Sequence, residues 1–125
     1  MYTVTVTRSF VAQHFLTVPN PGPEGDLHSH VFGVEAHLSG PELDEFGYLL
    51  DIDDVKAGLD AVENRYRDAT LNDLPEFEGQ NPSVEHFASH VADVLREECD
   101  LSNVSELRVK IWEDDEAWAA YETTV

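Results

Sequence analysis

The sequence is poor in basic residues and has a single cysteine. It contains 7 lysine and arginine residues, only two of them lysine, against 26 acidic residues, and its formal net charge is −19. Nucleic acid is therefore not an expected partner, because phosphate binding needs a basic face. The one cysteine, Cys99, cannot form an internal disulfide, which favours a reducing compartment.

Long apolar runs are also missing. No stretch of roughly 18 apolar residues occurs, so we expect no membrane-spanning helix and no membrane partner. The first residues have neither the basic start nor the apolar centre of a signal peptide, and we predict a cytoplasmic protein. A chain of 125 residues is long enough for one modest core, so we expect a single domain over residues 1–125.

The acidic residues are scattered along the chain rather than gathered in one tail. Repulsion among them weakens the compact state unless dissolved salt screens the charges. We therefore expect an acidic, halophilic protein from a host with a salty cytoplasm, whose melting temperature rises between low and molar KCl. An unchanged melting temperature would instead indicate an ordinary acidic protein of a moderate host.

Hydrophobic periodicity predicts the element order ββααββ. The predicted strands cover residues 2–14, 28–38, 106–113 and 117–125. Apolar residues spaced by three and four predict a helix after Asp51 and a second helix capped by Asn81. Two strand pairs that flank two helices favour an α+β fold, in which one antiparallel sheet carries both helices on one face.

Three histidines fall where they can share one metal ion. Side chains alternate along a strand, so His28 and His30 point to the same face, roughly 7 Å apart. His14 ends the first strand on its apolar parity and lies opposite them if the two strands form a hairpin. Three neutral imidazoles with one open position are typical of catalytic zinc, although ligand type alone does not exclude iron or manganese. A histidine pair without a metal is the alternative.

Glu113 is a second unusual residue, because it continues an apolar strand face. A carboxylate there is either exposed at the strand end or held by a pair of donors. The N–H and NH₂ edge of a pterin or guanine ring would bind it through two hydrogen bonds.

These residues, in this order, resemble the 6-pyruvoyl-tetrahydropterin synthase and 6-carboxy-tetrahydropterin synthase family. The resemblance covers nearly the whole chain and rests on the segments FVAQH, HSHVFGVE, GYLLDIDDVK, LND, NPSVEHFA and VKIWED. It identifies His14, His28 and His30 as zinc ligands. It also implies that Glu113 anchors the pterin and that Ser83 lines the pterin pocket.

The same resemblance implies the tunnelling fold. Trimers of that fold build a β-barrel from their sheets, and two trimers stack into a homohexamer. The active sites lie between subunits, so Glu113 can serve a site whose zinc belongs to a neighbour. The zinc would bind side-chain oxygens of dihydroneopterin triphosphate and act as a Lewis acid.

Two catalytic positions depart from the family pattern. The family has a cysteine four residues before the first histidine of H-x-H, where this chain has Glu24, and the position of Cys99 does not allow it to substitute. The family also has an Asp-His pair just ahead of LN, where this chain reads Arg67-Asp68.

These departures leave three functions open. In the first, Glu24 is the general base with Asp68 as its partner, and a carbon–carbon lyase releases 6-hydroxymethyl-dihydropterin for folate-like cofactors. Burial or a nearby like charge would have to raise the pKa of the base. In the second, the chain makes 6-carboxy-tetrahydropterin toward queuosine or archaeosine, with His86 or another residue in place of the missing groups. The bond that an enzyme of this family breaks here is left open between carbon–carbon and carbon–oxygen, the latter with elimination of phosphate. In the third, the chain binds zinc and pterin without turnover.

Overall fold

The computed structural model of the chain describes all residues from Met1 to Val125 and has the element order ββααββ. Four strands form one antiparallel sheet in the order β1-β2-β3-β4. These strands are β1 (Tyr2–His14), β2 (His28–Gly40), β3 (Glu106–Trp112) and β4 (Trp118–Thr124). The predicted strand limits are confirmed to within two residues.

The β1–β2 hairpin pairs along the full length of both strands. The register runs without interruption from Tyr2 opposite Gly40 to His14 opposite His28. Since no residue bulges out, each side chain keeps its face to the end of the strand. Side chains alternate between the two faces along β2. The face that buries Phe32 is therefore also the face on which the side chains of His28 and His30 lie.

Two helices, α1 (Ile52–Tyr66) and α2 (Val84–Glu98), cover the apolar face of the sheet. The side chain of Asp51 caps α1, as predicted, by accepting a backbone N–H two residues on. The helices approach closely at Gly58, where an added Cβ would lie 2.5 Å from the Sγ of Cys99. A larger residue at that position would have to move the side chain of Cys99.

The start of α2 corrects the sequence prediction. Its N-cap is Ser83, whose hydroxyl accepts the backbone N–H of His86 at 3.1 Å. Asn81, the predicted cap, instead uses its side-chain oxygen to accept the N–H of Thr17 at 2.9 Å. The prediction of Asn81 was wrong because a partner distant in sequence takes up its side chain.

The core beneath the histidines is aromatic. The ring of Phe87 lies 5.2 Å from that of Phe32 and 5.0 Å from that of Tyr66, both in edge-to-face geometry. Phe32 in turn lies 5.7 Å from the ring of His14 and 5.3 Å from the ring of His30. All three aromatic side chains are fully buried, so the histidine cluster has a dry and densely packed floor.

The connection between the helices is fastened to α1 through Glu76. Arg65 donates to both oxygens of the Glu76 carboxylate, at 2.6 Å from Nε, and the Tyr66 hydroxyl donates to the same group at 2.8 Å. The bonds from Arg65, assisted by the bond from Tyr66, lower the pKa of Glu76 to about 2 although its partial burial acts in the opposite direction. Burial raises the pKa of Tyr66, which stays protonated.

Replacement of Glu76 by glutamine should lower stability near neutral pH and have less effect in acid. A carboxylate whose folded pKa lies below its unfolded pKa contributes stability above the unfolded value and loses it as the pH falls toward the folded value. For Glu76 this window extends from the ordinary value of 4.5 down to about 2. Urea unfolding of the parent and Glu76→Gln between about pH 6 and about pH 3 should show a narrowing difference. A difference in unfolding free energy that stays constant over this pH range would mean that the ion pair between Arg65 and Glu76 contributes nothing to stability.

Neither helix combines the length and the apolar character needed to cross a membrane. Cys99 is buried and unpaired, and burial raises the pKa of its thiol to about 11. Burial thus disfavours the thiolate, which is the nucleophilic form of cysteine.

Candidate metal centre

The hairpin register brings His14, His28 and His30 together at one end of the sheet. Their ring centroids lie 4.6 Å (His14–His28), 5.2 Å (His14–His30) and 4.9 Å (His28–His30) apart. One ring nitrogen from each lies within 4.8 Å of the other two. The three side chains thus converge, as the parity of the two strands predicts.

Two of the three rings are oriented by backbone carbonyls. The Nδ1 of His14 donates to the carbonyl oxygen of Pro82, and the Nδ1 of His28 donates to that of Asp26, each at 2.8 Å. A carbonyl oxygen can only accept, so each Nδ1 carries the proton and each Nε2 keeps a free lone pair. Proteins commonly orient histidine toward a metal in this way.

The Nε2 atoms of all three histidines are buried and make no hydrogen bond. An unpaired buried nitrogen costs free energy, so three of them directed at one point need a common partner. A cation that accepts three nitrogen lone pairs meets this need for all three atoms, and the cluster fits a metal ion on chemical grounds.

Burial also favours the neutral form of His14. His14 is 1% exposed, and burial lowers the pKa of its imidazole, which a charge on His28 or His30 would lower further. The hydrogen bond to Pro82 opposes this only in part. The neutral imidazole favoured here is the form that binds a metal.

Glu113 lies directly beside the cluster. It follows the last residue of β3, and its backbone N–H donates to Ala117 across the β3–β4 turn at 2.9 Å. Its Oε1 lies 3.3 Å from the Nε2 of His30 without hydrogen-bond geometry. The Glu113 side chain is 26% exposed, so the carboxylate borders both the histidines and the open side of the site. The Glu113 carboxylate is thus next to the histidines of its own chain.

Ser83 lies one residue after the Pro82 carbonyl that holds His14. Its oxygen accepts the N–H of His86 as the cap of α2. A hydroxyl that accepts through a lone pair still has its O–H proton to donate. The cap therefore leaves Ser83 able to bind a ligand, and its predicted place in a pterin pocket stays a prediction.

Glu24 lies near the cluster and is exposed. It belongs to a short 3₁₀ turn (Gly22–Gly25), and its carbonyl accepts the N–H of Leu16 at 2.9 Å, two residues beyond His14. Its negative charge favours the protonated form of His14, as expected of a nearby carboxylate. No hydrogen bond or ion pair holds the Glu24 side chain, so the single chain leaves the carboxylate free.

Asp68 is not joined to Glu24 or to the histidines by any hydrogen bond or ion pair. Its backbone is left-handed, with φ 59°, and its N–H donates to the carbonyl of Val11 at the free edge of β1. Its side chain is 75% exposed, and Arg67 lies 3.8 Å away. The pairing of Asp68 with Glu24 therefore stays a prediction with no contact in its favour.

The remaining histidines lie elsewhere. His37 bonds Thr5 and Glu35 on the opposite sheet face. His86 is exposed in the first turn of α2 and donates its Nδ1 proton to the carbonyl of Asn81. His90 is half-buried, with its ring 4.7 Å from that of Phe77, although its position next to the apolar stripe predicts a surface residue.

Known proteins resemble this chain in sequence. The family model described as 6-pyruvoyl tetrahydropterin synthase matches residues 3–124. A protein of Archaeoglobus fulgidus, provisionally named 6-carboxy-5,6,7,8-tetrahydropterin synthase, is 27% identical over 116 residues, which cover 93% of this chain and 91% of the relative. A protein of Pyrococcus abyssi with the same provisional name is 26% identical over 141 residues, which cover 95% and 88%.

Solved structures show the same fold. The 6-pyruvoyl tetrahydropterin synthase of Plasmodium falciparum superposes with a TM-score of 0.81 at 18% identity, over 99% of this chain and 98% of the other. That of Caenorhabditis elegans superposes with a TM-score of 0.80 at 22% identity, over 98% and 97%. Since the family model matches nearly the whole chain, this protein belongs to the 6-pyruvoyl tetrahydropterin synthase family, whose members are lyases that act on pterins.

Proposed function

We propose that the chain is a zinc-dependent lyase that acts on dihydroneopterin or its triphosphate. The observation that carries this proposal is the convergence of three unpaired Nε2 atoms beside a carboxylate. The first group can bind a metal, and the second can bind the hydrogen-bond donors of a pterin ring.

His14, His28 and His30 would hold the zinc through Nε2. The bonds from their Nδ1 atoms to Pro82 and Asp26 support this, because they fix two rings with the lone pair directed inward. Bound zinc supplies a Lewis acid that polarises an oxygen of the substrate side chain. The aromatic floor under the rings excludes water, which strengthens electrostatic interactions above it.

Glu113 would bind the N–H and NH₂ edge of the pterin. An ionised carboxylate accepts two such bonds in parallel, which fixes the plane of the ring as well as its position. Ser83, whose oxygen accepts the N–H of His86 and whose O–H is free to donate, would bind an acceptor on the ring.

We favour Glu24 as the general base. Two structures of the Plasmodium vivax 6-pyruvoyl tetrahydropterin synthase are described as catalytic-residue mutants, in which a glutamate is replaced by alanine or cysteine. In the carbon–carbon cleavage, the Glu24 carboxylate would take the proton of the hydroxyl on the outer carbon of the bond that breaks. That carbon becomes the carbonyl of a small aldehyde, which leaves, and the carbon that stays on the ring keeps the bonding electron pair and takes up a proton. The ring-bound product is 6-hydroxymethyl-dihydropterin.

Two alternatives have specific support. The provisional names of the two archaeal relatives favour formation of 6-carboxy-tetrahydropterin. The exposure of Glu24 and Asp68 in the single chain favours a homologue that binds zinc and pterin without turnover. Burial of Glu24 by a second subunit would remove the objection to catalysis, because burial raises the pKa of a carboxylate.

An assembly of several copies would supply the second subunit that buries Glu24. β1 and β4 are the outer strands of the sheet, and an outer strand offers unpaired backbone groups to another copy. We propose the hexamer of two stacked trimers that the tunnelling fold implies. Light scattering should give a mass close to six chains, and a monomer at micromolar concentration would contradict this.

Product analysis distinguishes the three functions. Zinc-loaded protein is incubated with dihydroneopterin or its triphosphate, and the pterins are oxidised and separated by chromatography. 6-Hydroxymethylpterin supports the lyase with Glu24 as base, 6-carboxypterin supports the second function, and binding without product supports the third. Glu24→Gln should abolish formation of the first product, whereas the exposed control Glu45→Gln should not change it.

A further inference from the structure

Asn72 makes a matched pair of hydrogen bonds with the residue that follows His14. The N–H of Phe15 donates to the Oδ1 of Asn72 at 3.0 Å, and the Nδ2 of Asn72 donates to the carbonyl of Phe15 at 2.9 Å. A side-chain amide carries a donor and an acceptor in one plane, as a peptide group does. Asn72 thereby takes the place of a neighbouring strand.

This pair extends a short ladder along the outer edge of β1, the edge that does not pair with β2. Before it, the N–H of Asp68 donates to Val11 at 2.7 Å and the N–H of Gln13 donates to Ala69 at 2.9 Å. β1 itself ends at His14, where a strand end would otherwise fray. The amide of Asn72 adds the next connection, one residue beyond the proposed metal ligand.

The same loop also holds the ring of His14. Ten residues after Asn72, the Pro82 carbonyl accepts the Nδ1 proton of His14 at 2.8 Å. Between them, the Asn81 side chain accepts the N–H of Thr17 at 2.9 Å. The backbone around His14 and the imidazole itself are thus fixed by one connected segment.

We infer that Asn72 is a positioning residue for the metal ligand His14, a role that rests on the proposed metal centre. Asn72 holds the backbone on the carboxyl side of His14, which sets the origin of its side chain. The Pro82 bond then sets the ring orientation. A ligand held in advance loses less conformational freedom when the metal binds, so the affinity for metal depends on this hold.

Two substitutions separate the parts of this contact. Asn72→Ala removes both hydrogen bonds. Asn72→Asp keeps the size and an acceptor but places a carboxylate oxygen against the carbonyl of Phe15. Asn103→Ala is the matched control, because the Asn103 amide donates to the carbonyls of Glu42 and Leu49 at the opposite end of the hairpin.

The zinc dissociation constant is measured by competition with a chromophoric chelator, and thermal unfolding of the metal-free protein reports on folding. Both Asn72 variants should weaken zinc binding by about 10- to 100-fold, the range typical for groups that orient a metal ligand. The visible absorption of cobalt-substituted protein should shift in the same variants. Asn103→Ala should bind zinc as the parent does, even if its melting temperature falls as far.

A second measurement tests the route through His14. In a His14→Ala background, Asn72→Ala should cause no further loss of the residual zinc affinity, and a further loss of tenfold would overturn the inference. Zinc binding within about threefold of the parent, with an unchanged cobalt spectrum, would also overturn it and leave the proposed metal centre intact. Absence of zinc binding in the parent would overturn both. If Asn72→Ala does not fold, Asn72→Asp provides the same comparison.

Discussion

His28→Ala should lose its zinc while the protein stays folded. The parent should hold about one zinc per chain after dialysis against a weak chelator, and the variant should hold less than about a tenth of that. The reason is geometric: two imidazoles remain, and only one of them, His14, is still oriented by a backbone carbonyl. Because His28 is only half-buried, its loss removes little of the core.

His37→Ala is the control for this substitution. His37 is on the same strand but on the opposite face, where it bonds Thr5 and Glu35. This variant should keep the zinc of the parent, as measured by elemental analysis of both proteins after identical dialysis. Equal zinc in His28→Ala and the parent would mean that the three histidines do not form the metal centre.

Glu113→Gln should weaken binding of dihydroneopterin about 100-fold and leave the zinc content unchanged. Glutamine has nearly the same shape, but it carries no charge and presents an NH₂ where the pterin edge needs a second acceptor. Loss of a hydrogen-bonded charge typically costs about 1.5–3 kcal/mol, and about 2.7 kcal/mol corresponds to 100-fold. Quenching of pterin fluorescence on titration with zinc-loaded protein gives the dissociation constant.

Glu116→Gln makes the same chemical change in the same turn. The side chain of Glu116 is exposed, so its replacement should leave the dissociation constant unchanged. If both variants bind dihydroneopterin as the parent does, Glu113 is not the pterin anchor. If Glu113→Gln instead loses zinc, its carboxylate supports the metal centre rather than the ring.

The convergence of the histidines follows from sequence because it depends only on strand parity and register. Apolar alternation fixes the face of His28 and His30, and His14 continues the alternation of β1. A hairpin that pairs without a bulge then forces the three side chains together. The same local information predicts both helices and the Asp51 cap.

The groups that orient these histidines do not follow from sequence. The carbonyls of Pro82 and Asp26 belong to loops, and any residue type presents the same carbonyl. The prediction that Asn81 caps α2 was wrong for a related reason. Its side-chain oxygen accepts the N–H of Thr17, a residue 64 positions away. Asn72 belongs to the LND segment, but nothing in one sequence indicates that its amide bonds the backbone beside His14.

The environment of the candidate catalytic carboxylates does not follow from the sequence either. Glu24 and Asp68 are both exposed, and each lies in an irregular segment whose position no periodicity predicts. The resemblance could place Glu24 at a catalytic position, but the environment that would make it a base depends on surfaces beyond one chain. Their roles therefore rest on the product analysis.

X-ray absorption at the zinc edge of the zinc-loaded protein identifies the ligands of the metal directly. Coordination by His14, His28 and His30 predicts a shell of nitrogen or oxygen atoms at about 2.0–2.1 Å that includes three imidazoles and no sulfur. A spectrum with fewer than three imidazoles, or with a sulfur atom at about 2.3 Å, would contradict it.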